Sequence, residues 1–321
     1  MNIYRSTLEY LFTLPVISAW PEVVSLLENT AAKMPRDWRL PVMACEAVGG
    51  MDEQAIPASA AIACAQASLI LIDDMLDDDP RGIYWQLGPG RAANMACVLQ
   101  AASLEIFLPS LTSLTIKEAS RSYLNRMFLA TALGQDLDVH NPPDEKAYWE
   151  IVKYKSAPFF GTALQLGALL GGASEKVAAG LERYGRLYGE MIQIHDDLSD
   201  TMAIPANPDW IVGRSPLPIL FAKTVDHPAR DRFLELCQEI TCPDALTEAQ
   251  NILISCGAVS YCMHHLMIRH TAAQQILASL SLPDRDALNE LTEAAIFPVL
   301  GLFEAIGEKP SELLSEVANQ K

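Results

Sequence analysis

The sequence predicts an all-α protein, and three observations lead to that expectation. Apolar residues recur at helical spacing through most of the chain, no alternating strand pattern persists, and proline and glycine fall mostly between the helical segments. With 321 residues, half of them hydrophobic, the chain is long enough to bury a sizeable core. No stretch of linker composition divides it, so we expect residues 1–321 to form a single domain.

Seven segments show the helical spacing. In chain order they are Trp20 to Ala32, Ile56 to Leu76, Ala92 to Leu108, Ile116 to Leu137, Tyr148 to Leu170, Val177 to Leu198 and Ala245 to Leu280. Breaks are expected at residues 80–90, 141–143, 171–172 and 204–218. The last break is the one long enough to suggest a mobile lid.

Two clusters of aspartates follow apolar helical runs. One lies in LILIDDMLDDDPRG and the other in GEMIQIHDDLSD, and each contains the pattern Asp-Asp-x-x-Asp. This spacing puts the first and last carboxylates one helical turn apart. The members are Asp73, Asp74, Asp77, Asp78 and Asp79 in the first cluster, and Asp196, Asp197 and Asp200 in the second.

Such clusters could be solvated helix ends or metal ligands. Carboxylates about 4 Å apart repel by roughly 4 kcal/mol at an effective dielectric of about 20, and acids near a helix C-terminus oppose the helix dipole. A bound cation removes both costs, and Mg²⁺ takes one or two carboxylates together with waters and phosphate oxygens. Because the pattern occurs twice, we favour a divalent-metal site above an apolar chamber.

The composition excludes some partners and compartments. The formal charge of −17 argues against nucleic-acid binding. Seven cysteines without a Cys-x-x-Cys pair favour reduced thiols, and the first residues show no signal peptide, so we expect a cytoplasmic protein. The uncharged stretches 54–72 and 156–174 contain proline and small residues, and we interpret them as buried helices lining a pocket, with no transmembrane segment.

Several short motifs, taken in order, resemble a known family. They are PVMACEAVGG, the first aspartate motif with Arg81-Gly82, Gly134-Gln135 with Asp138, Lys155-Ser156, Tyr184-Gly185, Gly189, the block from Gln193 to Asp200, and the run from Gly213 to Pro218. Their order and spacing over nearly the whole chain resemble the trans-isoprenyl diphosphate synthase (polyprenyl synthetase) family. The resemblance implies a bundle of long helices around a deep apolar cavity, the class I isoprenoid synthase fold, with the two aspartate motifs on opposite walls of its mouth.

The resemblance also implies a reaction. Three Mg²⁺ ions would hold the diphosphate of an allylic prenyl diphosphate and stabilise its departure. The double bond of isopentenyl diphosphate would then attack the allylic cation, and a proton would be lost. A homodimer is implied as well.

Residue roles carry over from the family by position. The metal ligands correspond to Asp73, Asp74 and Asp77, with Asp78 as a substitute for Asp77, and to Asp196, Asp197 and Asp200, among which Asp196 is the strongest candidate for direct ligation. Lys155 and Arg214 stand where cations close over the leaving group, and Arg81 would suit a diphosphate oxygen. Gln193 could hydrogen-bond the reacting chain or a carboxylate. Each of these four also has a plainer interpretation as a structural partner or a surface charge.

Two departures from the family weaken the inferred pocket for the second diphosphate. The usual Gly-Gly-Lys-Arg-x-Arg-Pro is replaced by the run from Lys33 to Pro41, and Pro80 stands where a second arginine is usual. Arg36, Arg39 and Arg81 could form a reduced pocket. Two alternatives to chain elongation therefore stay open. One is a class I terpene synthase or cyclase acting on one preformed prenyl diphosphate without isopentenyl diphosphate, and the other is a catalytically silent partner subunit.

Substrate size depends on the residues below the first aspartate motif. Within about three turns before Asp73 stand Leu69, Ser68, Ala65, Cys64 and Ala61, with no aromatic side chain to form a floor. The resemblance then favours a product of about twenty carbons or longer, whereas the plainer interpretation is close helix packing.

Overall fold

The computed structural model describes residues 2–107 and 113–306, and every regular element within those residues is helical. The prediction of an all-α fold is confirmed. The helices are α1 (Ile3–Leu11), α2 (Pro15–Ser18), α3 (Pro21–Ala32), α4 (Leu40–Ala47), α5 (Asp52–Leu76), α6 (Tyr84–Leu87), α7 (Pro89–Glu105), α8 (Leu114–Val139), α9 (Glu145–Lys155), α10 (Ala157–Leu170), α11 (Glu175–Thr201), α12 (Pro208–Ile211), α13 (Leu217–Thr224), α14 (Arg230–Leu236), α15 (Pro243–Ser255), α16 (Ala258–Ser279) and α17 (Asp286–Ile306), with a 3₁₀ turn at Arg36–Arg39.

The first aspartate cluster straddles the C-terminal end of α5. The helix ends at Leu76, and Asp77 is its C-cap. Asp78 then adopts a left-handed backbone conformation (φ 50°), which short polar residues tolerate better than most, and Pro80 follows. Proline disfavours helix at the residue before it, so the chain leaves the helix here and the first acids of the cluster occupy its last turn.

The second aspartate cluster occupies the C-terminal turns of α11. This helix starts after Ser174, whose hydroxyl accepts a hydrogen bond from the Val177 N–H, the usual role of a serine N-cap. It runs for 27 residues to Thr201. Its length carries the second cluster across the molecule to the end of the bundle where α5 terminates.

Two of the predicted helical segments are each two helices. The segment 148–170 is interrupted at Ser156, and Pro158 follows within the first turn of α10, where a missing N–H is tolerated. The segment 245–280 breaks at Gly257, whose φ of 89° stops a right-handed helix, and α15 and α16 bend by 54°. Leu108, the predicted end of the third segment, lies outside the described residues.

Small residues let the central helices pack closely. A Cβ at Gly167 of α10 would lie 1.9 Å from the Pro41 carbonyl oxygen of α4, and one at Gly185 of α11 would lie 2.6 Å from the Phe160 carbonyl oxygen of α10. On α5, Ala61, Cys64, Ala65 and Ser68 have no exposed surface. The residues of α5 before Asp73 are therefore closely packed against neighbouring helices.

A second, smaller apolar cluster supports the segment after α11. It includes Trp210, Phe233 and Leu253, and Trp210 packs against the Phe233 ring with centroids 6.5 Å apart. Because Trp210 also lines the cavity described below, this cluster supports one wall of it.

One described helix, α5, is long and apolar enough by composition to cross a membrane. Its most apolar window has a mean hydropathy of 1.9 and is 78% buried inside the bundle. Most of its surface is therefore covered by other helices, as in the core helix of a globular protein.

Candidate functional site

Both acidic helix ends face one cavity of about 260 Å³. The lining contains Asp73 and Asp77 from the end of α5, and the three aspartates of the second cluster from the end of α11. It also contains Gln193, one turn earlier on α11, and two cationic side chains, Lys155 and Arg214. The structure thus brings together residues that lie up to 141 positions apart in the chain.

Lys155 lies between carboxylates from two different helices. Its Nζ is 2.9 Å from Asp73 Oδ1 on α5 and 2.6 Å from Asp138 Oδ2 on α8. Although burial opposes it, the carboxylates of Asp73 and Asp138 raise the pKa of Lys155, so the side chain is charged at neutral pH. Gly134 makes this arrangement possible, because a Cβ there would lie 2.2 Å from the backbone nitrogen of Lys155.

Arg214 contacts Asp77 at the end of α5 and also contacts Asp138. Its guanidinium forms an ion pair with Asp77, and its Nη1 donates to the Asp138 carbonyl oxygen at 2.7 Å. The Asp138 carboxylate lies 3.8 Å from Nη1. Asp138 is therefore shared by Lys155 and Arg214, and it holds the two cations next to each other.

Asp197 is buried and accepts hydrogen bonds from three donors. They are the Tyr148 hydroxyl at 2.8 Å, the Gln193 side-chain amide at 2.8 Å and the Leu217 N–H at 2.9 Å. Burial raises the pKa of Asp197 to about 6, against the opposing effect of these hydrogen bonds. Gln193 in turn accepts from Ser156, so the carboxylate is part of a network between α9, α11 and α13.

The other aspartates of the two motifs are more open to solvent. Asp196 and Asp200 are exposed, and the imidazole of His195 lies 3.6 Å from Asp196. In the first motif, burial raises the pKa of both Asp74 and Asp77 to about 6, and neighbouring acids add to the effect. Lys155 and Arg214 oppose the rise at Asp77, and Arg81 opposes it at Asp74.

The carboxylates around the cavity fit a hard divalent cation by donor type. Asp73, Asp77, Asp196 and Asp200 offer only oxygen atoms, which Mg²⁺ prefers. Within residues 2–107 and 113–306, no three His, Cys, Asp or Glu side chains are already gathered into a group that could hold a metal ion. A cation here would complete its coordination with water or phosphate oxygens, which is the usual mode of Mg²⁺ binding in proteins.

Several predicted site residues lie outside the lining of this cavity. Arg81 is largely exposed and binds the Asp79 carboxylate through Nε at 3.0 Å and Nη2 at 2.6 Å. Arg36 and Arg39 are exposed in the 3₁₀ turn. The remaining four lie on α5 or directly after it, and they are Ser68, Leu69, Asp74 and Asp78.

Three residues of the site were not assigned a role from the sequence. Asp138 belongs to a motif quoted above, but its contact with both cations could not be read from spacing. Tyr148 stands seven residues before Lys155, a helical repeat that places both on one face of α9. Asn141 follows the end of α8 and precedes two prolines, a turn signal that could have marked it.

The fold and the site define an all-helical bundle with a mixed acidic and basic centre at one end, suited to hold cations together with a phosphate-type anion. The chain matches the polyprenyl synthetase family over residues 25–253. It is 29% identical to a geranylgeranyl diphosphate synthase of Methanosarcina mazei over 182 residues, which cover 54% of this chain and 55% of that protein. The chain thus spans about half the length of the first curated relatives that it matches.

Two solved structures have the same fold. A geranylgeranyl pyrophosphate synthetase from Pyrococcus horikoshii superposes with a TM-score of 0.79 at 22% identity, covering 92% of this chain and 95% of that one. A polyprenyl synthase from Caulobacter crescentus, complexed with calcium and isoprenyl diphosphate, gives 0.76 at 22% identity, covering 92% and 93%. The chain belongs to the polyprenyl synthetase family, because the family match extends over most of its length.

Proposed function

We propose that this protein is a Mg²⁺-dependent prenyltransferase that condenses an allylic prenyl diphosphate with isopentenyl diphosphate. The observation that carries the proposal is the cavity in which carboxylates from two helix ends face Lys155 and Arg214. The Caulobacter polyprenyl synthase, by its description, binds a divalent cation and an isoprenyl diphosphate together. We infer the same pairing here, with three Mg²⁺ ions bound together with the substrate diphosphate. Metal titration in the presence of a diphosphate would measure that number.

Each part of the cavity has a role in this proposal. Bound Mg²⁺ would hold the diphosphate and neutralise the charge that develops as the carbon–oxygen bond breaks. Lys155 and Arg214 would add fixed positive charge at the same leaving group after exchanging Asp73 and Asp77 for phosphate oxygens. The Asp197 network would fix the end of α11, so that Asp196 and Asp200 keep their positions as ligands.

The second diphosphate requires cations outside the cavity. Arg36, Arg39 and Arg81 are all exposed, so each can turn toward an anion without leaving a buried charge behind. Arg81 would first have to release Asp79. We therefore propose that these exposed arginines bind isopentenyl diphosphate.

One incubation tests the proposal. The purified protein is mixed with Mg²⁺ and geranyl, farnesyl or geranylgeranyl diphosphate, with and without isopentenyl diphosphate, and the products are identified. A longer diphosphate that forms only with isopentenyl diphosphate supports the proposal. A hydrocarbon or alcohol formed without it would instead identify a terpene synthase, and no product in any mixture would indicate a silent subunit.

Variants of the two motifs show whether the cavity is responsible. Asp73→Asn and Asp196→Asn should each lower kcat by at least about 100-fold, since each removes a carboxylate that would bind Mg²⁺ at the leaving diphosphate. Asp136→Asn is the matched control, because Asp136 is an exposed aspartate on α8 that does not line the cavity. Equal activity in all three variants would place the reaction elsewhere.

We also propose a homodimer that forms along α8. Leu129, Leu133 and Leu137 follow one another at four-residue spacing on this helix, and they are 66%, 46% and 36% exposed. Such a stripe is unfavourable in water and favours burial against a second copy. Light scattering should give a dimer mass for the wild type and a monomer mass for a Leu129→Glu, Leu133→Glu double variant.

We propose a cytoplasmic location as well. All seven cysteines are free in the structure, in keeping with a reducing compartment. Fractionation of the cells that produce the protein would test this.

A further inference from the structure

The segment that carries Arg214 is held on both sides by one side chain. Asn141 Nδ2 donates to the Gly213 carbonyl oxygen at 3.0 Å, and Asn141 Oδ1 accepts from the Ser215 N–H at 2.9 Å. The two backbone groups flank Arg214, so a single amide fixes the peptide units before and after it. Both the N–H and the oxygen of the amide are used, so the two hydrogen bonds fix the orientation of the turn as well as its distance from Asn141.

The backbone at Asn141 is suited to this role. The residue lies two positions after the end of α8 and has a φ of 59°, in the left-handed region that asparagine tolerates better than most residues. Pro142 and Pro143 follow it, and their rings restrict the backbone on that side. The amide is therefore presented to the 213–215 turn from a restrained position.

Asn141 and the guanidinium partner of Arg214 come from the same helix end. Asp138, three residues earlier, accepts the Arg214 Nη1 hydrogen bond through its carbonyl oxygen. The end of α8 thus binds the backbone around Arg214 through Asn141 and the side chain of Arg214 through Asp138. Lys223 adds a hydrogen bond to the Ser215 hydroxyl at 2.9 Å.

We propose that Asn141 is a positioning residue that holds the Gly213–Ser215 turn so that Arg214 is directed into the cavity. The inference rests on the proposed function only in that Arg214 meets a diphosphate there. Asn141 itself contacts no reacting group in this scheme. Asn141 acts on Arg214 through the backbone of Gly213 and Ser215.

The substitution Asn141→Gly isolates the side-chain contact. Glycine adopts a φ of 59° without strain, so the backbone keeps its conformation while both hydrogen bonds are lost. Met34→Gly is the matched control, because Met34 also has a left-handed φ of 50°, is exposed and lies outside the cavity lining. The two variants share the glycine effect on the unfolded chain and differ in the contact with the turn.

The first measurement needs no substrate. Hydrogen exchange, read by mass spectrometry on peptides covering residues 211–217, should become faster by about tenfold in Asn141→Gly, because the Ser215 N–H loses its acceptor and the turn opens more often. The Met34→Gly variant should exchange in this region like the wild type. Unchanged exchange in Asn141→Gly would overturn the proposal, whether or not the protein is a prenyltransferase.

The second measurement tests the effect on Arg214. Calorimetric titration with inorganic pyrophosphate in the presence of Mg²⁺ should show affinity about tenfold weaker for Asn141→Gly, since a displaced cation no longer meets the anion. Combining Asn141→Gly with Arg214→Gln should add little to the loss seen with Arg214→Gln alone, because both changes remove the same contact. Additive losses would overturn the positioning role.

Kinetics complete the test and separate it from the proposed function. If the wild type condenses prenyl diphosphates, Asn141→Gly should lower kcat more than it changes KM for isopentenyl diphosphate, because only the leaving-group side is affected. A loss confined to that KM would contradict the proposal. Failure of every incubation would refute the prenyltransferase function and leave the exchange and pyrophosphate results to decide the role of Asn141.

Discussion

Replacing Tyr148 by phenylalanine removes one of the three hydrogen bonds to the buried carboxylate of Asp197. The Tyr148 hydroxyl donates to Asp197 Oδ2 at 2.8 Å, and both side chains are almost fully buried. Burial, with the charge of Asp197, raises the pKa of Tyr148 well above 10, so the hydroxyl is a donor at any pH of interest. The substitution changes no other hydrogen bond of the carboxylate.

The expected cost depends on whether Asp197 is ionised. Its pKa is about 6 in the folded protein and 3.8 in the unfolded chain, so its contribution to stability is fully present below about pH 4 and is lost as the pH rises through 6. The Tyr148 hydrogen bond opposes that loss because it favours the charged form. Removing a hydrogen bond to a charged group costs about 1.5–3 kcal/mol, against about 0.5–1.5 kcal/mol for a neutral group.

The Tyr148→Phe variant should therefore be destabilised more at about pH 8 than at about pH 5, by roughly 1 kcal/mol. Urea unfolding followed by circular dichroism measures the difference. Tyr184→Phe is the control, since the Tyr184 hydroxyl is equally buried but donates to the neutral carbonyl oxygen of Leu288. Its cost should be the same at both pH values. If Tyr148→Phe, like Tyr184→Phe, lowered the free energy of unfolding by the same amount at both pH values, the assignment of an ionised Asp197 bound by Tyr148 would be refuted.

Three further predictions concern Gly134, Arg214 and Asp37, a carboxylate in the 3₁₀ turn that accepts a hydrogen bond from Gln66. Gly134→Ala should lower the free energy of unfolding by at least about 2 kcal/mol, because its Cβ would clash with the backbone of Lys155. Gly90→Ala is the control and should not destabilise the protein, because the space around Gly90 is open. Thermal unfolding of the two variants measures the difference. Asp37→Asn should stabilise the protein above pH 6 by up to about 3 kcal/mol and have little effect below about pH 4, because burial raises the pKa of Asp37 to about 6. Urea unfolding at the two pH values measures this, and an equal change in unfolding free energy at both would contradict it. Arg214→Lys should lower kcat by about tenfold, since an ammonium group cannot reach two partners in fixed geometry, and unchanged steady-state kinetics would count against its role.

The fold class and much of the candidate site could be predicted from the sequence. The helical spacing located the long helices, and the two Asp-Asp-x-x-Asp patterns correctly placed their acids at helix ends because both depend only on residues close in the chain. Lys155, Arg214 and Gln193 were singled out by motif position, and they line the same cavity as the aspartates. Their functional roles are still predictions.

Other features depended on contacts that spacing cannot reveal. The interruptions at Ser156 and Gly257 split two predicted segments, since apolar spacing continues across a break while the backbone direction changes. Arg81 was predicted either to suit a diphosphate oxygen or to form a surface ion pair, and in the structure it binds Asp79 two residues away. A local ion pair of this kind competes with a distant anion, and only side-chain geometry shows which is present.

The sequence by itself determined that the chain is helical, that two aspartate clusters lie at helix ends and that acidic residues outnumber basic ones by 40 to 23. These properties follow from local periodicity and composition. Only the tertiary structure decided that Asp138 joins Lys155 to Arg214, that Tyr148 binds Asp197 and that Asn141 holds the turn around Arg214. Each of these contacts joins separate segments of the chain, and their meeting depends on how closely the glycine-lined helices of the core can approach one another.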